Sequence, residues 1–300
     1  MKIFILGSQG FIGNHLVNYF LKKGDVVFAC DLLEYSSIKY YYQKASILSA
    51  DFEIQFTTQK FDFCINAAGS GNVFFSIEHP LSDFETNAMS VVKVLDSLRK
   101  YQPACKYIHI SSAAVYGNPK ILPVAENDLI APVSPYGYHK WMSEIICKEY
   151  SNLYGLQIAV VRPFSVYGAG LKKQLIWDIC EKIKNSDIIT LYGSGNESRD
   201  FLHVSDLCEL INKIILKSEF NADIYNAATG IETTIHEVAN IFEKNFKKQK
   251  RIFFSGEFKV GDPINWRADI SKINELGFIQ TVSLEKGISD YIDWYLQFSK

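Results

Sequence analysis

Apolar residues in the first half of the chain follow two alternating rhythms. Short apolar runs at Lys2–Leu6, Val26–Cys30, Phe63–Ile65, Tyr107–Ile110 and Ile158–Val161 have the length and continuity of strands buried on both faces. Between them, Phe11–Lys23, Leu81–Lys100 and Tyr138–Tyr154 place apolar residues three and four positions apart, the rhythm of crossover helices. Strand–helix alternation of this kind predicts an α/β, doubly wound parallel sheet with helices on both faces. The second half is less regular. Helices are expected over Leu175–Lys184, Val204–Leu216, Ile235–Phe246 and Leu284–Tyr295, with short strands such as Thr190–Tyr192 and Ile224–Tyr225 between them. No repeat or flexible linker divides the chain, so a smaller α/β lobe packed against the sheet is expected. The Tyr40-Tyr41-Tyr42 triplet reads as helical, with no function assigned.

Composition narrows the picture. The 300 residues are 48% apolar, enough for one large domain or two modest ones. A net charge of −2, from 31 basic and 33 acidic residues, argues against a nucleic-acid partner, which calls for a basic excess. The apolar N-terminus breaks at Gly7-Ser8-Gln9-Gly10, too early for a targeting segment. No run approaches the ~18 apolar residues of a membrane span, so a cytoplasmic protein without a membrane partner is expected. The six cysteines are scattered singly and show no metal-ligand spacing. They read as reduced thiols, and the six histidines likewise show no metal pairing.

The first chemical signal is Gly7-Ser8-Gln9-Gly10-Phe11-Ile12-Gly13, which leaves the first strand and opens the first helix. Strand, glycine-rich turn and helix make a diphosphate site of the Rossmann type, because glycines admit close backbone approach and the helix N-terminus presents N–H groups. Asp31, at the end of the second strand, lies 18 residues beyond Gly13, near the distance at which an acid meets the ribose hydroxyls. It would repel a 2′-phosphate, so NAD is expected ahead of NADP.

The second signal is Tyr136 and Lys140, four apart on a helix that starts at Ser134-Pro135 and therefore on one face. A nearby ammonium and an oxidised nicotinamide would favour the phenolate, fitting Tyr136 to exchange a proton with a substrate hydroxyl. Tyr138 is a competing tyrosine. The fifth strand runs into Ser111-Ser112, at the carboxyl end where ligands sit in such sheets, and Ser112 is placed to bond the reacting oxygen.

These motifs, with Asn66-Ala67-Ala68, Asn87, Ser112-Ala113-Ala114-Val115-Tyr116-Gly117, Arg162-Pro163-Phe164-Ser165-Val166-Tyr167-Gly168 and Arg199-Asp200-Phe201-Leu202-His203-Val204-Ser205-Asp206, resemble the extended short-chain dehydrogenases/reductases. Within them the chain is most similar to the nucleotide-sugar epimerase/dehydratase branch, over nearly its whole length. The resemblance implies catalytic Ser112, Tyr136 and Lys140. It implies coenzyme contacts from Gly7, Gly10, Phe11, Ile12, Gly13, Asp31, Ala67, Asn87 and Lys140. It implies an NAD-binding domain over 1–162 plus about 199–229, and a nucleotide-sugar lobe over about 163–198 plus 230–300. Substrate contacts are expected from Ser165, from Arg199 on the diphosphate, and from Lys172. A structural ion pair of Arg199 with Asp200 or Asp206 is the plainer alternative. The helices Leu81–Lys100 and Tyr138–Tyr154 correspond to those that pair subunits in relatives, so a homodimer is expected.

The departures bear on substrate. Ser165 replaces a frequent Asn, Lys259-Val260-Gly261-Asp262 stands where Arg-Pro-Gly-Asp is usual, and Leu171-Lys172-Lys173-Gln174 replaces a Pro-containing loop. Ala113-Ala114 stands where the 4,6-dehydratases carry an Asp-Glu pair, which argues against dehydration. The resemblance implies a C4 epimerase acting on a nucleotide-diphospho sugar, slightly ahead of a 4-keto-6-deoxyhexose nucleotide reductase. A dinucleotide-binding regulator without catalysis is a distant third.

Overall fold

The computed structural model describes residues 1–48, 52–246, 251–257 and 263–298. Lys259–Asp262 fall outside the described residues. The first half folds as β1 (Lys2–Leu6), α1 (Phe11–Lys22), β2 (Val26–Asp31), β3 (Tyr41–Lys44), α2 (Glu53–Thr58), β4 (Phe63–Asn66), α3 (Val73–Glu78), α4 (Pro80–Phe84), α5 (Ser90–Tyr101), β5 (Lys106–Ile110), α6 (Pro135–Tyr154) and β6 (Ile158–Pro163). The second half adds β7 (Ser165–Tyr167), α7 (Gln174–Asn185), β8 (Ile188–Leu191), β9 (Ser198–Arg199), β10 (Phe201–His203), α8 (Val204–Lys217), β11 (Asn221–Ala227), β12 (Thr233–Thr234), α9 (Ile235–Asn245), β13 (Arg251–Phe254), α10 (Ser271–Glu275) and α11 (Leu284–Phe298).

Seven strands form one sheet in the order β11-β6-β5-β4-β1-β2-β3, every neighbouring pair parallel. The two-residue period of β1 sends Ile3 and Ile5 to one face, against Leu16 and Phe20 of α1 and Leu207 and Ile211 of α8. It sends Phe4 and Leu6 to the other, against Val91, Leu95 and Leu98 of α5 and Cys147 of α6. Ile224–Tyr225 belongs to β11, the edge of this sheet. A third core joins Ile176 and Ile179 of α7, Val238 and Phe242 of α9, and Ile288 and Tyr291 of α11.

Two expectations change. Tyr41 and Tyr42 are in edge strand β3, not a helix; Tyr41 stacks on Phe28 of β2 with ring centroids 4.4 Å apart. Aromatic residues suit a pleated, half-buried surface, and the short triplet offered no stripe wide enough for a helix. The continuous helix expected over Leu81–Lys100 is interrupted by a π-turn at Glu85–Met89. Such one-turn insertions gather at functional sites, and this one contains Asn87.

All six cysteines are buried free thiols. Among the described residues no helix is long and apolar enough to cross a membrane, and no cluster of His, Cys, Asp and Glu could hold a metal ion.

Candidate active site

The carboxyl ends of the parallel strands β1, β2, β4 and β5 lie along one edge of the sheet, and the glycine loop follows the first of them. Gly7 has φ +75° and leaves no room for a side chain: a β-carbon there would stand 2.6 Å from the Ala68 backbone. One on Gly13 would stand 2.0 Å from the Gly7 carbonyl oxygen. Gly10 is the N-cap of α1, with Phe11, Ile12 and Gly13 in its first turn, so their N–H groups lie at the positive end of the helix. Ser8 Oγ is fully buried and has no hydrogen-bond partner among the described residues; the same holds for Asn87 Oδ1. Buried polar atoms are rarely left unpaired. The tight cradle and these two orphaned oxygens fit a dinucleotide diphosphate and its nicotinamide-ribose end.

Asp31 ends β2, and one carboxylate oxygen accepts the Gln9 N–H at 2.9 Å. Its other oxygen accepts from Leu33 N–H at 3.3 Å. Both oxygens retain lone pairs for hydroxyl donors, and the side chain is partly exposed. Ala67 lies on the far wall of the loop, its N–H bonded to the Leu6 carbonyl at 3.0 Å.

Helix α6 begins with Ser134 accepting the Gly137 N–H and Pro135 in the first turn, a start that needs no further cap. Tyr136 therefore falls in the first turn and Lys140 one turn on. Ser112 lies beside the Tyr136 phenol and lowers its pKa. Its own position is fixed by the Ala114 N–H, which it accepts at 3.1 Å. Lys140 is buried, and its Nζ donates to the Ile110 carbonyl at the end of β5, 2.9 Å away. Tyr138, the competing tyrosine, is 45% exposed on the outer face.

In the chain by itself, burial governs both pKa values. Burial pushes Tyr136 up to about 12, offset in part by Ser112, with Asp83 adding to the rise. Lys140 is pulled down to about 8 by desolvation, against the raising influence of Asp83 and Glu144.

Several functional neighbours carry no obvious signal in the sequence. Buried Asp83 accepts Asn87 Nδ2 at 3.0 Å and binds His139 Nδ1 at 2.7 Å. It thereby fastens the π-turn to α6. A β-carbon on Gly69 would stand 2.5 Å from Asn87 Oδ1 and 3.4 Å from Lys140 Nζ, so Asn87 and Lys140 line the same wall. The Asp83–Asn87 spacing of four, within a helical stretch, could have indicated the pair. Arg162 is structural: it forms a two-pronged pair with Glu144 at 2.9 and 2.7 Å and also donates to Tyr116 Oη at 2.7 Å.

The three expected substrate residues are less concentrated. Ser165 opens β7, partly exposed. Arg199 donates to the Ser198 and Ile264 carbonyls and lies 5.8 Å from the Trp266 ring. The carboxylate of Asp200 accepts instead from Thr229, Gly230 and Ala268, and that of Asp206 from Thr281 and Val282. Lys172 is exposed and turned to α11: its Nζ lies 3.7 Å from the Phe298 ring centroid, a cation–π contact. Its neighbour Lys173 is exposed as well, and its Nζ donates to the Gly71 carbonyl at 3.3 Å.

Comparison with known proteins agrees with this geometry. A Methanocaldococcus jannaschii protein assigned as a UDP-glucose 4-epimerase is 31% identical over 97% of both chains. The UDP-glucuronate 4-epimerase of Thermodesulfobacterium geofontis is 26% identical, covering 97% of this chain and 94% of its own. The solved structure of UDP-glucuronic acid 4-epimerase from Bacillus cereus, in complex with UDP-glucuronic acid and NAD, superposes with a TM-score of 0.91 at 25% identity, over 99% of this chain and all of that one. The sequence profile of the NAD dependent epimerase/dehydratase family matches residues 3–228, and the chain belongs to that family.

Proposed function

We propose that this protein is an NAD-dependent 4-epimerase of a UDP-linked sugar. The observation that carries the reading is Tyr136 and Lys140 one turn apart on α6, with Ser112 beside the phenol, at the carboxyl end of β5 and beside the glycine cradle. NAD, when bound, takes a hydride from C4 of the sugar and returns it. The chain's own residues handle the proton and hold the parts in place. Tyr136 Oη exchanges the proton of the C4 hydroxyl, Ser112 holds that oxygen against the phenol, and Lys140 braces the coenzyme ribose beside Asn87. Ala113 and Ala114 supply no carboxylate for loss of water, which supports epimerisation over dehydration.

The coenzyme would be held by Gly7, Gly10, Phe11, Ile12, Gly13, Asp31, Ala67, Asn87 and Lys140. Ser165 and Arg199 are proposed to contact the UDP-sugar, and Lys172 leaves that set. The NAD-binding domain is taken as 1–162 plus about 199–229, and the substrate lobe as about 163–198 plus 230–300. The exposed apolar side chains Val92 on α5 and Met142 and Ile145 on α6 support a homodimer formed through those helices. A cytoplasmic location fits a coenzyme that is supplied there.

Denaturing the purified protein and assaying the supernatant tests the reading. NAD near one per chain, with UDP-hexose turnover needing no added coenzyme, is the expected result. Little retained NAD, with coenzyme-dependent reduction of a 4-keto sugar nucleotide, would replace the epimerase by the reductase.

A further inference from the structure

The two ends of the Asn87 side chain meet different surroundings. Its Nδ2 donates to Asp83 at 3.0 Å, while its Oδ1 is buried without a partner among the described residues. A carboxylate only accepts, so the nitrogen must face Asp83 and the oxygen must face away. On that far side stands Gly69, at φ +140°, where a β-carbon would meet Asn87 Oδ1 at 2.5 Å and Lys140 Nζ at 3.4 Å. An acceptor and an ammonium therefore converge on one point, next to the Ala68 backbone against which Gly7 packs.

Packing alone does not call for a charge at position 83. Asp83 is completely buried, held by Asn87 and by His139 Nδ1 at 2.7 Å. Other contacts already seat this region on α6: the Phe84 and His139 rings lie edge to face with centroids 5.5 Å apart, and Ser76 Oγ of α3 accepts the Tyr136 N–H. An apolar pair of similar volume would join the same helices without the cost of desolvating a carboxylate. What a carboxylate does, and an apolar side chain cannot, is fix which end of the neighbouring amide points away from it. Its charge also acts to raise the pKa of both Tyr136 and Lys140, so it lies within electrostatic reach of the catalytic pair.

We propose that Asp83 is a positioning residue for the coenzyme: by engaging the Asn87 amide N–H it holds the Asn87 carbonyl toward Lys140, so that an acceptor and a donor stand together for the hydroxyls of the nicotinamide ribose. His139 holds the carboxylate in turn through its Nδ1–H, which ties this setting to the helix that carries Tyr136 and Lys140. The role rests on the proposed NAD site.

Release of NADH from the loaded protein tests it, with excess NAD as the chase, nucleotide fluorescence as the signal, and urea midpoints measured alongside. Asp83→Leu, which keeps the volume and removes the acceptor, should speed release by roughly tenfold or more, the worth of one hydrogen bond to a ligand. In an Asn87→Ala background the same substitution should add less than about twofold, because its effect passes through Asn87. The exchanged pair, Asp83→Asn with Asn87→Asp, keeps a hydrogen bond between the two side chains and an acceptor toward Lys140, and should release NADH within about threefold of wild type. Equal acceleration by Asp83→Leu with and without Asn87 would overturn the inference and leave Asp83 a structural tether. So would an exchanged pair that loses NADH as fast as Asn87→Ala, a result that decides the matter even where Asp83→Leu does not fold. Wild-type protein that holds no NADH would defeat the NAD site itself, and the inference with it.

Discussion

Replacing Lys140 by methionine should stabilise the coenzyme-free protein near neutral pH while destroying its activity. The fold lowers the Lys140 pKa from 10.5 to about 8 by desolvation. A lysine whose folded-state pKa is depressed binds fewer protons folded than unfolded between those two values. Stability therefore rises with pH across that window. Below pH 8 both states are protonated and the whole penalty is present; above pH 10.5 both are neutral and it is gone. At 1.36 kcal/mol per pKa unit, the shift amounts to about 3 kcal/mol. Methionine fills similar space and does not titrate, although the Ile110 carbonyl loses its donor, a pH-independent cost of about 1–3 kcal/mol. The wild-type curve alone would mislead, because burial raises the thiols of Cys30, Cys105, Cys180 and Cys208 to about 12. Those groups lower stability as pH climbs past 9, but they are common to both proteins and cancel in the difference. Urea unfolding of both proteins under reducing conditions, from pH 7 to 10.5, reads that difference from midpoints and slopes. The stability of wild type relative to Lys140→Met should climb by about 3 kcal/mol over the range. A flat difference would refute the claim that this ammonium is held desolvated.

Tyr136→Phe should lower turnover by roughly 10²- to 10⁴-fold with retained NAD and an unchanged circular dichroism spectrum. Gly13→Ala should release the coenzyme, since its β-carbon meets the Gly7 carbonyl oxygen at 2.0 Å; NAD per chain, measured after denaturation, checks this. Arg162→Met should destabilise the fold by about 3–5 kcal/mol by leaving Glu144 buried and uncompensated. Adding Glu144→Leu should recover part of that loss in urea denaturation.

The parts of this molecule that follow from local pattern were legible. Strands β1, β2, β4, β5 and β6 are apolar runs buried on both faces, and the glycine loop announces its own geometry. Tyr136 and Lys140 need only helical spacing to share a face. Asp83 was only partly legible: its spacing of four hints at Asn87, but the π-turn between them and the meeting with His139 from another helix are not encoded in periodicity. The same holds for β3, where pairing with β2 overrides a short ambiguous triplet. Lys172 and Lys173 are adjacent and chemically alike. Which of them meets Phe298 and which the Gly71 carbonyl depends on the direction in which the chain enters α7, a tertiary property no composition reveals.

The Tyr136 and Lys140 shifts have one cause and oppose one another in effect. Burial raises the phenol to about 12 and lowers the amine to about 8, so each group is held toward its neutral form. A surface tyrosine would ionise more easily, but it would face water that competes for the transferred proton. The fold accepts a poorly ionising phenol in exchange for position: Ser112 beside it, Ser76 Oγ accepting its backbone N–H at 3.1 Å, and Lys140 pinned to the strand end. Ser112 is the one neighbour here that lowers the phenol's pKa. Removing it should then raise that pKa further and move the rising limb of the pH–rate profile to higher pH. Ser112→Ala, assayed between pH 6 and 10, should show this displacement along with lower turnover. A profile reduced in height but unmoved along the pH axis would mean that Ser112 only positions the substrate oxygen and does not tune the base.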